Sequence, residues 1–297
     1  MLKDKIRKAV YGISKYVPLW RERVIGNRTF LDIQRTLQDI QKLQAIHYFN
    51  QELERNSRNL DPRVLYQYGF QVNSQSYEDG IIHEIFRRIK VLNRTFVEIG
   101  IGDGTENNTA FLLAQGWKGF WIDGNDSFLD TMRVRGDLQN GCIKFQKAFV
   151  AKDNISNIFS QLKVPEDIDL LSIDVDQNTY YIWEALREFK PRVVTVEYNA
   201  AIPPDIDWKV AYVPAKMWDG TQNFGASLKA FEILGNRLGY SLVGCDCLGA
   251  NAFFVRNDLL ADHFFAPFTS ENHYQPIRYK YMHRKGHPNA ILDRGAE

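Results

Sequence analysis

Thr95-Phe96-Val97-Glu98-Ile99-Gly100-Ile101-Gly102-Asp103-Gly104-Thr105 is the stretch of the chain that decides the fold. A β-rich run ends in an acidic residue and enters a loop with glycine at every second position. Such a loop lets a ligand lie against bare backbone, because there are no Cβ atoms for it to collide with. A helix from about Asn108 to Leu113 is expected to follow and to turn its N-terminal N–H groups toward the ligand. The pattern predicts a site for a nucleotide-like cofactor.

The spacing of the glycines distinguishes a site for a dinucleotide from a site for a cofactor without phosphate. A dinucleotide fingerprint reads G-x-G-x-x-G, and its helix N-terminus holds a pyrophosphate. Here the third glycine, Gly104, comes one residue early, and the Glu98 carboxylate at the strand end would repel a pyrophosphate. A cationic ligand would not be repelled, and S-adenosylmethionine carries a sulfonium, an amino group and no phosphate.

In this motif the sequence resembles the class I S-adenosylmethionine-dependent methyltransferases, and most closely their FkbM-like branch. The resemblance covers roughly Ser74 to Asp258, and the glycine loop is its most specific part. It implies a Rossmann-like α/β fold with a seven-stranded, mostly parallel sheet that ends in an antiparallel hairpin. It also implies that S-adenosylmethionine is the cofactor.

Alternating strand and helix patterns from Ser74 onward predict the same architecture, because regular alternation favours a parallel sheet with right-handed crossovers. The short Gly-containing segment Leu248-Gly249-Ala250 between the last two strands predicts a hairpin. The predicted strands are Thr95–Ile99, Gly119–Ile122, Ile143–Ala148, Leu170–Ile173, Val193–Glu197, Ser241–Cys245 and Ala252–Arg256. The predicted helices are 108–115, 127–134, 154–161, 179–188 and 226–238.

The flanking segments differ from this central domain, which we place at residues 71–258. Residues 1–70 form a predicted helical extension, and 259–297 a basic, aromatic tail. Apolar residues recur at three- or four-residue steps in the extension and predict an amphipathic helix that docks on the domain or pairs two copies. These residues are Phe30, Ile33, Leu37, Ile40, Leu43, Ile46, Phe49 and Leu53.

The cofactor residues are sought at the carboxyl ends of the strands, where open α/β sheets bind ligands. Asp123 ends the second strand, 21 residues beyond Gly102, where a carboxylate can accept hydrogen bonds from a ribose diol. The family resemblance places an adenine against Ala148-Phe149-Val150. The predicted cofactor residues are Glu98, Gly100, Gly102, Asp103, Thr105, Asp123, Ala148 and Asp174.

Polar residues at the ends of the fourth and fifth strands are the predicted catalytic centre: Asp174, Asp176, Glu197 and Asn199. Three carboxylates this close repel one another unless they are paired, protonated or bridged by a cation. Two alternatives follow. Asp174, Asp176 and Glu197 bind Mg²⁺ or Mn²⁺, or one of them acts as a metal-free general base. A third reading, for Asp176 and Asn178, is that they cap the next helix.

The acceptor is predicted from the loop Trp218–Gly225, which combines aromatic rings with Asp, Asn, Gln and Thr. This composition favours a sugar, a polysaccharide precursor or another polyhydroxylated molecule, methylated on oxygen. The alternatives are an NAD-binding α/β oxidoreductase or epimerase, and a non-catalytic scaffold that retains the fold.

The net charge, the cysteines and the apolar runs of the whole chain limit the partners and the cellular location that we expect. A net charge of +1 over 297 residues gives no general attraction to nucleic acid. The three cysteines form no paired framework, and no apolar run reaches the length of a membrane span. We therefore expect a cytoplasmic protein with reduced thiols, no nucleic-acid partner, a small-molecule or glycan acceptor, and an oligomer if the N-terminal helix pairs.

Overall fold

The computed structural model describes residues 57–104, 106–126 and 141–278, together with single helical positions between 33 and 55. The helices are α1 Glu78–Ile89, α2 Ala110–Ala114, α3 Ile155–Leu162, α4 Thr179–Ala185, α5 Leu228–Leu238 and α6 Ser270–His273. The strands are β1 Thr95–Ile99, β2 Lys118–Asp123, β3 Ile143–Lys147, β4 Leu170–Ile173, β5 Val193–Glu197, β6 Tyr240–Cys245 and β7 Asn251–Arg256. Short 3-10 helices lie at Ser57–Leu60, Leu65–Tyr68 and Asn257–Leu259.

All seven strands form one sheet in the order β3-β2-β1-β4-β5-β7-β6. The pairs among β1 to β5 are parallel, and β7 runs antiparallel between β5 and β6. The order reverses at β1 and β4, which places a topological switch point between them. This confirms the predicted fold class, a Rossmann-like, mostly parallel sheet with a C-terminal antiparallel hairpin.

The predicted strands are confirmed to within one residue at each end. The helix expected from Asn108 is shorter, starting at Ala110, because the backbone before it is used to bind Glu98. The helix predicted at 127–134 lies outside the described residues.

Both faces of the sheet are buried, as expected of a parallel sheet covered by helices. One apolar cluster packs α3, α4 and α5 against one face, with Trp183 and Phe254 in edge-to-face contact at 4.8 Å. A second cluster packs α1 and Trp117 against the other face. The rigid sheet core therefore fixes the positions of the loops at its carboxyl edge.

One compact unit takes in residues 52–279, so the boundaries predicted at 70/71 and 258/259 fall inside it. Leu65, before the predicted domain, and Phe264, after it, are both buried in the second apolar cluster. Because these two side chains are buried there, the chain around each of them belongs to the same core as the sheet.

The predicted N-terminal stripe is described at four of its positions. Ile33, Leu37, Ile40 and Leu43 are helical, with 46–65% of their surface exposed. Phe30, Ile46, Phe49 and Leu53 lie outside the described residues. Among the described residues, no helix has the length and apolarity needed to cross a membrane.

A buried ion pair fixes the amino end of the sheet. The fully buried Asp169 accepts from Arg192 Nη1 at 2.9 Å and from the backbone N–H groups of Leu92 and Asn93. Arg192 also donates to the carbonyls of Ile89 and Lys90, at the end of α1. The pair thus joins α1 to the entry of β1 and to β5.

We expect Asp169→Asn to lower the free energy of unfolding by about 3–5 kcal/mol, because it leaves the buried Arg192 charge unpaired. Urea unfolding measures the change. The matched control is Glu188→Gln, which breaks an exposed pair with Arg187 and should cost about 0–1 kcal/mol. Equal losses in the two variants would show that the buried pair has no special role.

Candidate functional site

The Glu98 carboxylate is the centre of the glycine loop. It accepts hydrogen bonds from the backbone N–H groups of Asn108 and Thr109 at 2.9 and 3.0 Å. The Asn107 amide and the Thr109 hydroxyl donate to it at 2.6 and 2.5 Å. Trp121 in β2 donates in turn to Thr109. Burial raises the pKa of Glu98 above its ordinary value, and these hydrogen bonds oppose the rise.

This network corrects one sequence-based expectation. The N–H groups before α2 were expected to face the ligand, but those of Asn108 and Thr109 point to Glu98. A buried carboxylate requires donors, and these groups supply four of them. Glu98 was predicted to hold the cofactor. In the structure its contacts lie inside the protein, so it shapes the loop.

The absence of a side chain matters for different reasons at Gly100 and at Gly102. Gly100 has φ +85°, and a Cβ there would lie 1.6 Å from the carbonyl oxygen of Asp174. Gly102 has φ +59°, and a Cβ there would meet nothing within 4 Å. Gly100 therefore permits β1 and β4 to approach, whereas Gly102 borders the open space in which a ligand can lie.

Asp123 stands beside that open space. Its carboxylate accepts from the backbone N–H of Gly102 at 2.9 Å and of Asn125 at 2.8 Å. These bonds tie the glycine loop to the end of β2. Each oxygen keeps a further lone pair, so the carboxylate can still accept from a ribose hydroxyl.

The remaining cofactor predictions lie around the same rim. Asp103 is exposed, and Thr105 lies outside the described residues. Ala148 donates its backbone N–H to the carbonyl of Asp123 at 2.7 Å. The next residue, Phe149, is 48% exposed, and its ring lies 3.5 Å from where a Gly124 Cβ would be. A half-exposed aromatic ring beside Asp123 can cover the flat face of a base.

Asp174, Asp176 and Glu197 come together at the ends of β4 and β5. One carboxylate oxygen of each lies within 4.8 Å of the others, and all three side chains are partly buried. Asp176 has φ +55°, a left-handed conformation that is costly for a residue other than glycine. This arrangement brings together three of the four predicted catalytic side chains.

Electrostatics favour a proton or a cation in this cluster. Burial raises the pKa of Glu197 well above its ordinary value, and the charges of Asp174 and Asp176 raise it further, as does a hydrogen bond with Asp174. Burial also raises the pKa of Asp176. Three hard oxygen donors of this kind fit Mg²⁺ or Mn²⁺. In the absence of a cation, the raised pKa of Glu197 favours a protonated carboxyl in the cluster.

Asn199, the fourth predicted catalytic residue, is used differently. Its side-chain amide donates to the carbonyls of Gln222 and Phe224 at 2.6 and 3.0 Å, and its oxygen accepts from the N–H of Ala201. All its hydrogen-bonding groups therefore have partners within the protein. Asn199 anchors the Trp218–Gly225 loop to the end of β5 and acts as a positioning residue.

The loop is also internally bonded. The indole N–H of Trp218 donates to the carbonyl of Thr221 at 2.7 Å. The carboxylate of Asp219 accepts from the hydroxyl and N–H of Thr221, which lower the pKa of Asp219. Asp219 is thus held as an anion at the loop's outer turn, while Trp218 is 39% exposed.

Two buried amides at the start of α4 were missed as site residues. Gln177 donates to the carbonyl of Asn223 at 3.2 Å, and Asn178 donates to that of Val213 at 3.1 Å. Asn178 stands at the helix N-cap position but makes no capping bond, which excludes the capping alternative for this residue. Because each amide nitrogen faces a carbonyl, each amide oxygen turns away from it. Sequence gives no sign of this, since the partners lie far along the chain.

These oxygens belong to a set of buried acceptors that have no partner among the described residues: Gln177 Oε1, Asn178 Oδ1, Glu197 Oε2 and Asn223 Oδ1. All four are acceptors, on β5, the start of α4 and the loop above them. Buried polar atoms are rarely left without partners. These four oxygens are therefore unsatisfied acceptors near the carboxyl ends of β4 and β5.

Comparison with known proteins gives fold neighbours and no family assignment. No family model matches the chain, and no curated protein matches it. Among solved structures, the N-terminal domain of EvdMO1 with SAH bound is 13% identical and covers 69% of this chain and 94% of its own, with a TM-score of 0.39. The glycopeptide N-methyltransferase MtfA is 12% identical over 65% of this chain and 96% of its own, with a TM-score of 0.36. The fold assignment rests on the strand order.

Alanine substitutions at the two glycines should separate their roles. Gly100→Ala should lower the free energy of unfolding by several kcal/mol, because its Cβ collides with backbone. Gly102→Ala should cost only about 1–2 kcal/mol, the strain of a left-handed residue. Denaturant unfolding measures both. If Gly102→Ala is as destabilising as Gly100→Ala, the space beside Gly102 is not open in the folded protein.

Proposed function

We propose that the protein is an S-adenosylmethionine-dependent methyltransferase that methylates a hydroxyl oxygen of a polyhydroxylated acceptor, such as a sugar or a polysaccharide precursor. The observation that carries the proposal is the arrangement at the switch point. Open space beside Gly102, the Asp123 carboxylate and the three-carboxylate cluster all lie at one edge of the sheet. The FkbM-like affinity is part of this proposal and rests on the glycine loop.

The NAD-binding alternative is disfavoured by the Glu98 network. A dinucleotide places its pyrophosphate on the N–H groups where the glycine loop enters the helix. Here Glu98 accepts from the N–H groups of Asn108 and Thr109. A pyrophosphate would have to displace a buried carboxylate of the same sign. A cofactor without phosphate needs no such displacement.

The residues divide into three roles. The glycine loop and Asp123 would bind the nucleoside part of the cofactor, with Phe149 covering its base. Bound S-adenosylmethionine would supply the methyl group. Of Glu197 and Asp174, the carboxylate that is ionised would take the proton that the acceptor hydroxyl loses, since a general base must lie within hydrogen-bond reach of that proton. Asn199 would act indirectly, by holding the loop that closes over the acceptor.

The acceptor class is supported by the four buried oxygens without partners. These oxygens are covered in the structure; where the loop admits an acceptor, hydroxyl groups can donate to them, whereas an anionic or purely apolar acceptor would leave them unsatisfied. The exposed Trp218 ring adds a flat apolar surface of the kind that packs on a sugar face. The loop therefore favours a polyhydroxylated molecule over a flat aromatic one.

S-adenosylhomocysteine should bind and raise the melting temperature by mass action. Asp123→Ala should weaken its binding by roughly 1–3 kcal/mol, through loss of a charged acceptor and of the bond that positions Gly102. Calorimetric titration measures the affinity. Asp126→Ala is the matched control, because it removes an exposed carboxylate three residues away. Equal affinity in both variants would place the ribose elsewhere.

Asp174→Asn and Glu197→Gln should each reduce turnover by at least ~10²-fold while the fold and the cofactor affinity survive, because shape is kept and charge is lost. Incorporation of a methyl group into candidate acceptors, followed by mass spectrometry, measures turnover. Glu188→Gln, which removes an exposed carboxylate outside the site, is the control and should change turnover little. Unchanged turnover in both cluster variants would exclude the cluster as the catalytic centre.

The same cluster allows a test of the cation. A raised carboxyl pKa means that Glu197 stabilises the fold when protonated, and this contribution is lost as the pH rises through its folded pKa. If Mn²⁺ or Mg²⁺ binds, it should raise the melting temperature more at pH 8 than at pH 5, and EDTA should abolish turnover reversibly. Full turnover in EDTA would exclude a catalytic cation and leave the metal-free general base as the role of the cluster.

A further inference from the structure

Two buried carboxyl groups lie beside the outer strands of the sheet, outside the cluster described above. Glu78 is the first residue of α1, and Asp246 follows β6 in the turn that leads to β7. Both residues are completely buried. A buried carboxylate is costly unless it is paired or hydrogen-bonded, so the partners of these two groups decide their charge.

The same two residues bridge the carboxyl groups. Ser76 donates its backbone N–H to Glu78 Oε2 at 2.7 Å and its hydroxyl to Asp246 Oδ1 at 3.4 Å. Asn251 donates its side-chain amide to Glu78 Oε1 at 2.9 Å and its backbone N–H to Asp246 Oδ2. Further N–H groups of the β6–β7 turn also donate to Asp246. The two carboxyl groups are therefore held as one pair by residues that reach both.

The donors to this pair are neutral, so they leave the repulsion between the two carboxylates in place. Two like charges that close cannot both persist in a dry interior. Burial, followed by the charge of Asp246, raises the pKa of Glu78 from 4.5 to about 8. Burial also raises the pKa of Asp246. One proton therefore stays with the pair at neutral pH.

An amide oxygen beside the pair lacks a donor. Asn251 is buried, and its Oδ1 has no hydrogen-bond partner among the described residues. The nitrogen of the same carboxamide donates to Glu78. A protonated Glu78 would carry the O–H donor that this oxygen lacks, whereas an ionised one would not. The unsatisfied oxygen thus favours a proton at this place independently of the charges.

The charged and titratable groups around the pair make no bond to it that would neutralise it, within the part of the chain that the structure describes. Asp79, the next residue of α1, turns its Oδ2 to backbone N–H groups of the preceding loop. Burial raises the pKa values of Tyr77, Cys245 and Cys247, which stay neutral. The Arg278 guanidinium donates to the carbonyl of Cys247 and to a glutamine side chain.

We propose that Glu78 and Asp246 together keep one proton in the folded protein and act as a pH-sensitive latch that holds the start of α1 to the β6–β7 turn. With the proton, the pair carries a single negative charge, which the N–H groups of the turn stabilise. Without it, two buried like charges repel each other across Ser76 and Asn251. A rise in pH therefore weakens the bonds that join α1 to the turn.

The latch lies next to the proposed catalytic edge. Asn251 is the direct partner of Glu197 in the antiparallel pair of β5 and β7. Tyr198 donates its N–H to the carbonyl of Ala250 at 2.9 Å, so Glu197 and Asn251 form a non-hydrogen-bonded pair, the kind in which facing side chains are closer. Opening of the latch therefore loosens the strand opposite Glu197. Its effect on turnover rests on the proposed function, whereas the latch itself does not.

The first test counts the proton by urea unfolding of the full chain at a series of pH values. A carboxyl group with a raised pKa binds more protons in the folded than in the unfolded state, so stability should fall as the pH rises from about 4.5 to about 8. The slope of the unfolding free energy against pH gives the number of protons taken up on folding. Glu78→Gln should lower this number by about one between pH 6 and pH 7. Glu188→Gln, which removes an exposed carboxylate, is the control and should leave it unchanged.

The second test locates the opening by amide hydrogen exchange with mass spectrometry. In the wild type, protection of the N–H groups of residues 246–251 should fall between pH 6 and pH 9, after correction for the intrinsic exchange rate. Glu78→Gln should keep its protection over the same range, because its side chain cannot ionise. The control Glu188→Gln should behave as the wild type.

If Glu78→Gln does not fold, Asp246→Asn takes its place. Glu78 then keeps its burial and loses a neighbouring charge, so the pH-dependent fall in stability should end at a lower pH. Equal proton numbers in the wild type and in Glu78→Gln, or an unchanged pH range in Asp246→Asn, would overturn the proposal. So would wild-type protection that does not change with pH. Neither test uses a cofactor or an acceptor, so the outcome is independent of the proposed function.

Discussion

The hydrogen bonds of the Glu98 carboxylate are the interaction on which the rest of the site depends. A buried carboxylate is costly unless donors surround it. The four donors from Asn107, Asn108 and Thr109 meet this need within one short stretch of chain. They draw the backbone after the glycine loop back onto the end of β1. The loop is therefore closed from behind, and its open side beside Gly102 faces the edge of the sheet.

The same constraint bears on the cofactor that we propose for the loop. In dinucleotide-binding proteins the helix N-terminus is left for a pyrophosphate. In this chain Glu98 takes the equivalent N–H groups, so the loop offers bare backbone and the Asp123 carboxylate in place of an anion site. The carboxylates at the ends of β4 and β5 continue this acidic edge. Their mutual repulsion, together with burial, keeps a proton on Glu197 or calls for a cation.

Buried carboxyl groups continue along the outer part of the sheet. Beyond β5, Glu78 at the start of α1 and Asp246 after β6 form a second pair, which is bridged by neutral donors. This pair joins α1 to the last hairpin of the sheet. Segments on both sides of the predicted domain complete this region, since a 3-10 helix before α1 and the helix α6 both contact β6. The described residues 57–70 and 259–278 are thus parts of one core with the sheet.

The sequence by itself determined the alternation of strands and helices, the C-terminal hairpin and the location of the glycine loop. These follow from local periodicity and from glycine spacing, which any chain carries in its residue order. It also placed Asp123 and the three carboxylates at strand ends.

The direction in which side chains point was decided by the tertiary structure. Glu98 turns inward because its donors lie behind it. The side-chain amide of Asn199 donates to the carbonyls of Gln222 and Phe224, more than twenty residues away. The unpaired oxygens of Gln177 and Asn178, and the buried carboxyl pair at the end of β6, exist only because distant segments meet, and no local pattern encodes such a meeting.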